Sequence, residues 1–284
     1  MGPAGHGRGE ARMPVPCSMK KWLGIGLTAA ALVAAVAAPW LAPHDPLKAD
    51  FVQSLKPPGS PGHLLGTDQL GRDLLARVLH GARLALFIGA CTVLITAVFG
   101  GLLGLVAGFI ERWPSTVLMR IADVQLSFPF ILLAMTINAI VGLGLQNIIL
   151  SLSAAGWVVY ARVVRGEVLS VKQRDYVQAA AALGMGRARL LFRHVLPNVA
   201  PSIIVVASLQ FSSFIVAEAA ISFLGFGIQP PTPAWGSMLS ESRDFLYVAW
   251  WLAAFPGAAL ALTALGVNLL GDWLRDTFDP KLRV

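Results

Sequence analysis

Glu218 is the one acid deep in the fifth long apolar stretch, which makes it the first residue to ask about chemistry. An acid inside a membrane by default faces the bundle interior and marks a working place such as a proton relay. A relay needs a second ionisable group, and this stretch holds none. The expected role is a hydrogen bond to a neighbouring helix or a place at the external mouth. Arg120 and Asp123 sit three apart on a helical pattern, so they are expected to pair across one turn as a structural ion pair. His6, His44, His63, His80 and His194 are scattered, with no metal-ligand spacing. The chain has no His-Glu-x-x-His and no Gly-x-Ser-x-Gly. It also lacks Gly-x4-Gly-Lys-Ser/Thr, so it cannot cradle ATP by that route. Apolar stretches carry serines but no histidine, which argues against an intramembrane protease. No catalytic residue, cofactor or metal is therefore expected, and the chain is not read as an enzyme.

The elements that hold these residues follow from composition. Hydrophobic residues make up 56% and charged residues 13% of the chain, with a mean hydropathy of +0.69. Soluble domains carry about a quarter charged residues, so much of this chain lies where charge is costly. A membrane helix needs about 20 mostly apolar residues. Six such windows are read, at about 22–41, 84–110, 117–141, 147–164, 202–224 and 248–270. The apolar residues come in runs rather than strict alternation, so a barrel is not expected. The fold class is all-α, a polytopic membrane protein with six transmembrane helices. Cys17 and Cys91 lie in a polar tail and an apolar window, so no disulfide framework is implied.

Residues 1–21 read as a basic, Gly/Pro-rich cytoplasmic tail, with Met13 and Met19 as alternative starts. Ala35-Val36-Ala37 before Ala38-Pro39 imitates a signal-peptidase site, but the apolar run is long and an uncleaved first span is expected. Residues 42–81 form an external segment. Within it Thr67 or Asp68 is expected to cap a helix. Leu70, Leu74, Leu75, Val78 and Leu79 would then face one side and Arg72, Asp73, Arg77 and His80 the other, as an amphipathic helix at the interface. Gly100, Gly104 and Gly108 recur every fourth residue, a spacing that lets helices approach closely. Ser127-Phe128-Pro129 marks a kink in the third span, Gly142 and Gly144 a tight external turn, and Pro256-Gly257 a kink in the sixth span.

Between the fourth and fifth spans, residues 165–200 form a basic, helix-prone loop. Ala179 to Ala182 is a run of the best helix former, and Gly184 supplies a stop. Leu190, Leu191 and Val195 with Arg187, Arg189 and Arg193 make a second short helix, which Pro197 is expected to close. The loop reads as helix, turn, helix. With the N-terminus inside, cytoplasmic pieces hold 16 Lys and Arg and external pieces 6. That asymmetry places the loop and both termini, including 275–284, in the cytoplasm. The net charge of +7 is explained this way, without nucleic acid.

Asp175-Tyr176-Val177-Gln178-Ala179-Ala180, Gly184 and Leu196-Pro197 resemble the EAA loop of permease subunits of binding-protein-dependent ABC importers. Gln178 stands where that motif has Glu, and His194 where it has Ile. Gly66-Thr67-Asp68, Gly71-Arg72-Asp73, Phe223-Leu224-Gly225, Pro230 to Pro233 with Trp235-Gly236, Gly271-Asp272 and Asp279-Pro280 are similar to the dipeptide, oligopeptide and nickel group. Within it the chain looks most like the C-type permease.

The resemblance implies a type I (MetI-like) importer permease fold, with a transmembrane core over 82–274, in a bacterial inner membrane. It implies four kinds of partner: a second, different permease, two cytoplasmic ATPase subunits, a periplasmic binding protein and membrane lipid. Loop residues Tyr176, Val177, Ala180 and Leu183 would bury apolar surface on the ATPase, while Arg187, Arg189 and Arg193 would steer an acidic groove. The first span with 42–80 would wrap the partner permease and meet the binding protein, and the Gln229 to Gly236 loop would lie near the external mouth. The implied cargo is a di- or oligopeptide, with nickel, glutathione or opines as alternatives. A stand-alone secondary transporter is the competing class, and it would need more intramembrane ionisable groups than Glu218.

Overall fold

The computed structural model describes residues 17–110 and 113–278, and they are mostly helical with no strand among them. The first 16 residues of the expected tail, Arg112, Lys281, Arg283 and the Asp279-Pro280 motif lie outside the described residues. Ten α-helices among the described residues follow in order: α1 Cys17–Leu41, α2 Leu74–Phe109, α3 Trp113–Leu126, α4 Phe130–Val141, α5 Leu145–Lys172, α6 Asp175–Ala182, α7 Arg187–Leu190, α8 Leu196–Phe223, α9 Trp235–Glu241 and α10 Trp251–Phe278. Five of the described helical stretches are long and apolar enough to cross a membrane, and α3 with α4 make a sixth only if taken together.

That pair departs from the expected single kinked span. The two helices meet at a bend of 94°. Pro129 lacks an N–H and restricts Phe128 to extended backbone, so helix cannot run through. The chain restarts with Pro129 as N-cap of α4. At 14 and 12 residues, each half spans about 20 Å, short of the bilayer's hydrocarbon core of about 30 Å.

α2 differs in the opposite sense. The expected separate amphipathic helix does not exist, because Leu74–Phe109 is one helix of 36 residues. At 1.5 Å per residue it is about 54 Å long, so one end must stand clear of a hydrocarbon core about 30 Å thick. α10 is one helix with Pro256 inside it, the position at which a kink is expected.

The chain alternates between two ends of the bundle. The 42–73 segment and the 224–250 segment meet at one end, where Trp251 Nε1 donates to Thr67 O at 3.2 Å and Gln69 Nε2 to Glu241 Oε2 at 3.0 Å. The start of α1 and the end of α10 share the opposite end, where Lys21 Nζ lies 5.0 Å from the Trp273 ring centre. The α6–α7 hairpin and the α2–α3 connection lie at that second end too.

The core lies where small residues let helices touch. α2 packs along α5 at Gly100, Gly104 and Gly108. A Cβ on these would come within 2.3 Å of Trp157 O, 2.4 Å of Ala161 O and 2.7 Å of Val168 Cβ. Ile88, Ile148, Leu152, Ala217 and Ile221 fill a shared core between α2, α5 and α8.

Candidate functional site

The α6–α7 hairpin is built at the second end. Ala-rich α6 stops at Leu183, and Gly184 takes φ +81°, a left-handed conformation that costs an L residue about 1–2 kcal/mol. The Met185 N–H then reaches back to Ala180 O at 3.1 Å, closing the helix end.

Pro197 does not end the second helix. Residues Leu191–Val195 form one π turn, in which the Leu196 N–H reaches back five residues to Leu191 O. The π turn loosens the regular bond pattern just before Pro197, which then enters α8 without ending the helix. Arg187 to Phe223 is therefore one continuous helical rod. α5 likewise extends to Lys172 rather than stopping near Val164.

The hairpin divides its apolar residues between two faces. Val177 is only 2% exposed and packs with Val168, Val171, Leu190, Val195 and Val199, with Ala180 and Leu196 against them. Val177, and Ala180 in part, thus hold the hairpin to the bundle; Val177 leaves no surface for a docking face, while Ala180 is half-buried. Tyr176 and Leu183 point outward, Leu183 being 90% exposed. Ala179, Pro197, Arg187, Arg189 and Arg193 lie toward the surface, and these three arginines make no ion pair among the described residues. Gln178 Nε2 donates to Gln173 O at 3.2 Å, tying α6 to the end of α5. The His194 ring lies 6.1 Å from that of Tyr176.

At the opposite end, the Gly66–Asp73 motif forms a knot whose charges point inward. Thr67, Asp68, Arg72, Asp73 and Arg77 are all buried, so the expected polar face of an interfacial helix is instead an interior. Asp68 Oδ1 accepts the Leu70 and Arg72 N–H groups at 2.9 Å each, and its Oδ2 accepts Arg72 Nε at 2.6 Å. Arg72 Nη2 donates to Glu241 Oε2 at 2.9 Å, and Arg77 Nη2 approaches the same oxygen at 3.4 Å. Burying charges this way requires that each be paired. Thr67 bridges two stretches of the segment, donating to Gln53 O and accepting the Lys56 N–H at 2.9 Å. Gly71 sits at φ +73°, and a Cβ there would meet Asp50 O at 1.7 Å, so only glycine fits. Asp73, not Thr67 or Asp68, caps α2, its Oδ2 accepting the Ala76 N–H at 2.8 Å.

Glu218 is 1% exposed but sits near the last turns of α8, not at mid-span. Its Oε1 accepts Ser222 Oγ at 2.7 Å, and Ser222 Oγ accepts the Ile228 N–H at 3.0 Å. The acid therefore braces the turn that leaves α8. Of the two expected roles, the bond to a neighbouring helix is replaced by one on its own helix, while its place near the end of α8 leaves the role at a mouth of the bundle standing. Nearby, Trp235 is buried, donating Nε1 to Val78 O at 3.0 Å. An open cavity of about 290 Å³ lies between His80, Arg83, Leu84 and Phe87 of α2 and Thr232 and Pro233 of the loop.

Three pairings escaped sequence reasoning. Asp123 binds Arg162 of α5, not Arg120. Glu241 closes the charged knot across a long stretch of chain. His44 and His63 come together beside Asp73. In the sequence Glu241 is only an acid between the fifth and sixth apolar windows, with nothing to tie it to Arg72 and Arg77. His44 and His63 carried none, because their spacing fits no local motif.

Comparison with known proteins gives a consistent picture. The family described as "Binding-protein-dependent transport system inner membrane component" matches residues 100–284. The di/tripeptide transport system permease DppC of Pseudomonas aeruginosa is 47% identical, over 88% of this chain and 84% of its own. The dipeptide transport system permease DppC of Alkalihalophilus pseudofirmus is 41% identical, over 92% and 86%. The glutathione transport system permease GsiD of Pectobacterium atrosepticum is 42% identical, over 87% and 82%.

Proposed function

The chain belongs to the family of binding-protein-dependent transport system inner membrane components, and from that membership we propose that it is one permease subunit of an ATP-driven importer of di- or oligopeptides. In this reading it forms the path with a second, different permease. An external binding protein delivers cargo to the end that holds the Gly66–Asp73 knot, and two ATPase subunits dock at the α6–α7 hairpin. Both termini lie with the hairpin in the cytoplasm, as the distribution of Lys and Arg supports. Membrane lipid covers the outer faces, where Leu32, Val33 and Val36 of α1 and Leu94, Val98 and Leu102 of α2 are exposed.

The observation that carries the proposal is the hairpin's construction. Leu183 and Tyr176 offer apolar surface outward while Val177 and Ala180 fasten the same helix inward. A load applied at Leu183 passes to the Arg187–Phe223 rod, about 55 Å long at 1.5 Å per residue. Rigid packing makes such a rod move as a body rather than bend. Its far end carries Glu218 and the turn beside the opposite knot, so a push in the cytoplasm reaches the delivery end.

Cargo contact at that end falls to exposed groups, since Thr67 and Trp235 are buried. Val52, Leu64 and Tyr247 are exposed there, and His80 and Arg83 line the open cavity. The GsiD relative makes glutathione, itself a tripeptide-like acid, the second cargo reading.

The test is uptake into proteoliposomes holding both permeases and the ATPases. Dipeptide uptake should require ATP and binding protein together. Uptake by this chain alone without ATP would overturn the importer reading. Uptake of glutathione in preference to dipeptide would move the cargo to the second reading.

A further inference from the structure

Asp73 is a buried carboxylate without an arginine or lysine partner among the described residues. Its side chain is 0% exposed, and both nearby arginines are committed to Asp68 and Glu241 instead. The groups that face it are two imidazoles. His63 Nδ1 lies 2.9 Å from Asp73 Oδ1, and His44 Nδ1 lies 3.9 Å from the same oxygen. The two rings are 4.9 Å apart, tilted by 32°. One donor atom from each of the three residues falls within 4.8 Å of the others.

We propose that His44, His63 and Asp73 form a resident site for a divalent transition-metal ion of the zinc class. Imidazole nitrogen and carboxylate oxygen bind zinc at about 2.0–2.2 Å, which places neighbouring donors of a tetrahedral site about 3–3.5 Å apart. His63 and Asp73 already stand near that spacing. His44, with 43% of its side chain exposed, has room to turn the remaining distance inward. Asp73 is already oriented as a ligand, because the Ala76 N–H fixes its Oδ2 and leaves Oδ1 facing the rings. A ligating carboxylate held by an outer hydrogen bond is what a tuned metal site uses. Water completes the coordination.

The site binds three separated parts of the chain. His44 follows α1, His63 lies in the middle of the external segment, and Asp73 caps α2. A bound ion therefore staples the 42–63 segment to the first turn of α2, beside the knot. This reading does not depend on the cargo. The ion is a fixed part of the permease, bound without ATP, binding protein or peptide.

The alternative is a metal-free contact in which His63 and Asp73 hydrogen-bond directly. The two are separated by titrating the full-length chain, purified without a polyhistidine tag and stripped by chelator, with Co2+. One equivalent should give saturable visible d–d absorption that Zn2+ abolishes. His44→Ala and His63→Ala should each weaken binding at least about tenfold. Asp73→Asn keeps a capping side chain and should lose the ion while keeping the fold. Zn2+ should raise the melting temperature of the wild type and leave the His44→Ala/His63→Ala variant unmoved. Absence of saturable Co2+ absorption in the wild type, or equal absorption in the double variant, overturns the proposal.

Discussion

Single residues decide how the end that carries the Gly66–Asp73 motif is held. Glu241 and Asp68 together neutralise two buried arginines, so loss of Glu241 leaves Arg72 and Arg77 sharing the single carboxylate of Asp68. Removing one partner of a buried pair costs about 3–5 kcal/mol. Glu241→Ala should therefore lower the melting temperature in detergent clearly, whereas Asp244→Ala, at an exposed site in the same segment, should stay within about 0.5 kcal/mol. Equal melting of the two variants would remove the knot's structural role. Charge identity in this motif was legible from the sequence, but its direction was not. Periodicity placed Arg72 and Arg77 on a polar face, and nothing local showed that α9 would bring Glu241 over that face. Asp123 teaches the same point: Arg120 was the nearest partner in sequence, and Arg162 is the nearest in space.

Helices were legible where apolar runs and breakers agree, and less so where a breaker can be absorbed. Gly184 stops α6 because its left-handed φ has no cheap substitute. Pro197 was expected to stop the next helix and does not: a π turn, with Leu196 N–H bonded to Leu191 O, lies just before it and the helix runs on. Pro129 lies where no such turn forms, and the helix breaks by 94°. The continuity of the rod is testable. Inserting two glycines between Val195 and Leu196 should abolish peptide uptake while leaving the complex assembled, as read by co-purification of all subunits. Retained uptake would show that the rod does not transmit. The contact of α2 with α5 makes a second prediction. Gly104→Val would drive a side chain against Ala161 O and Val164, and overpacking of this kind costs about 1–3 kcal/mol. Gly166→Ala meets nothing within 4 Å on α5 and should be neutral or slightly stabilising by helix propensity. Thermal unfolding of the two variants compares them directly.

For the whole molecule, the division of labour follows from the two ends. One end is closed by a buried charged knot and offers Leu64 and Tyr247 outward; the other offers a hairpin with exposed arginines and an exposed leucine. A crosslinker at Tyr247 should reach the binding protein or the second permease, whereas one at Leu183 should reach only an ATPase. The reverse pattern would invert the orientation. The central claim is that the hairpin's outward face carries the ATPase motion into the permease. Leu183→Asp tests it most directly, because that side chain is 90% exposed and the change leaves the hairpin's own packing untouched. In proteoliposomes with both permeases, the ATPases and binding protein, the variant should insert and fold as wild type. Its binding-protein-stimulated ATP hydrolysis and dipeptide uptake should fall to background. Wild-type stimulation and uptake in Leu183→Asp would contradict the account.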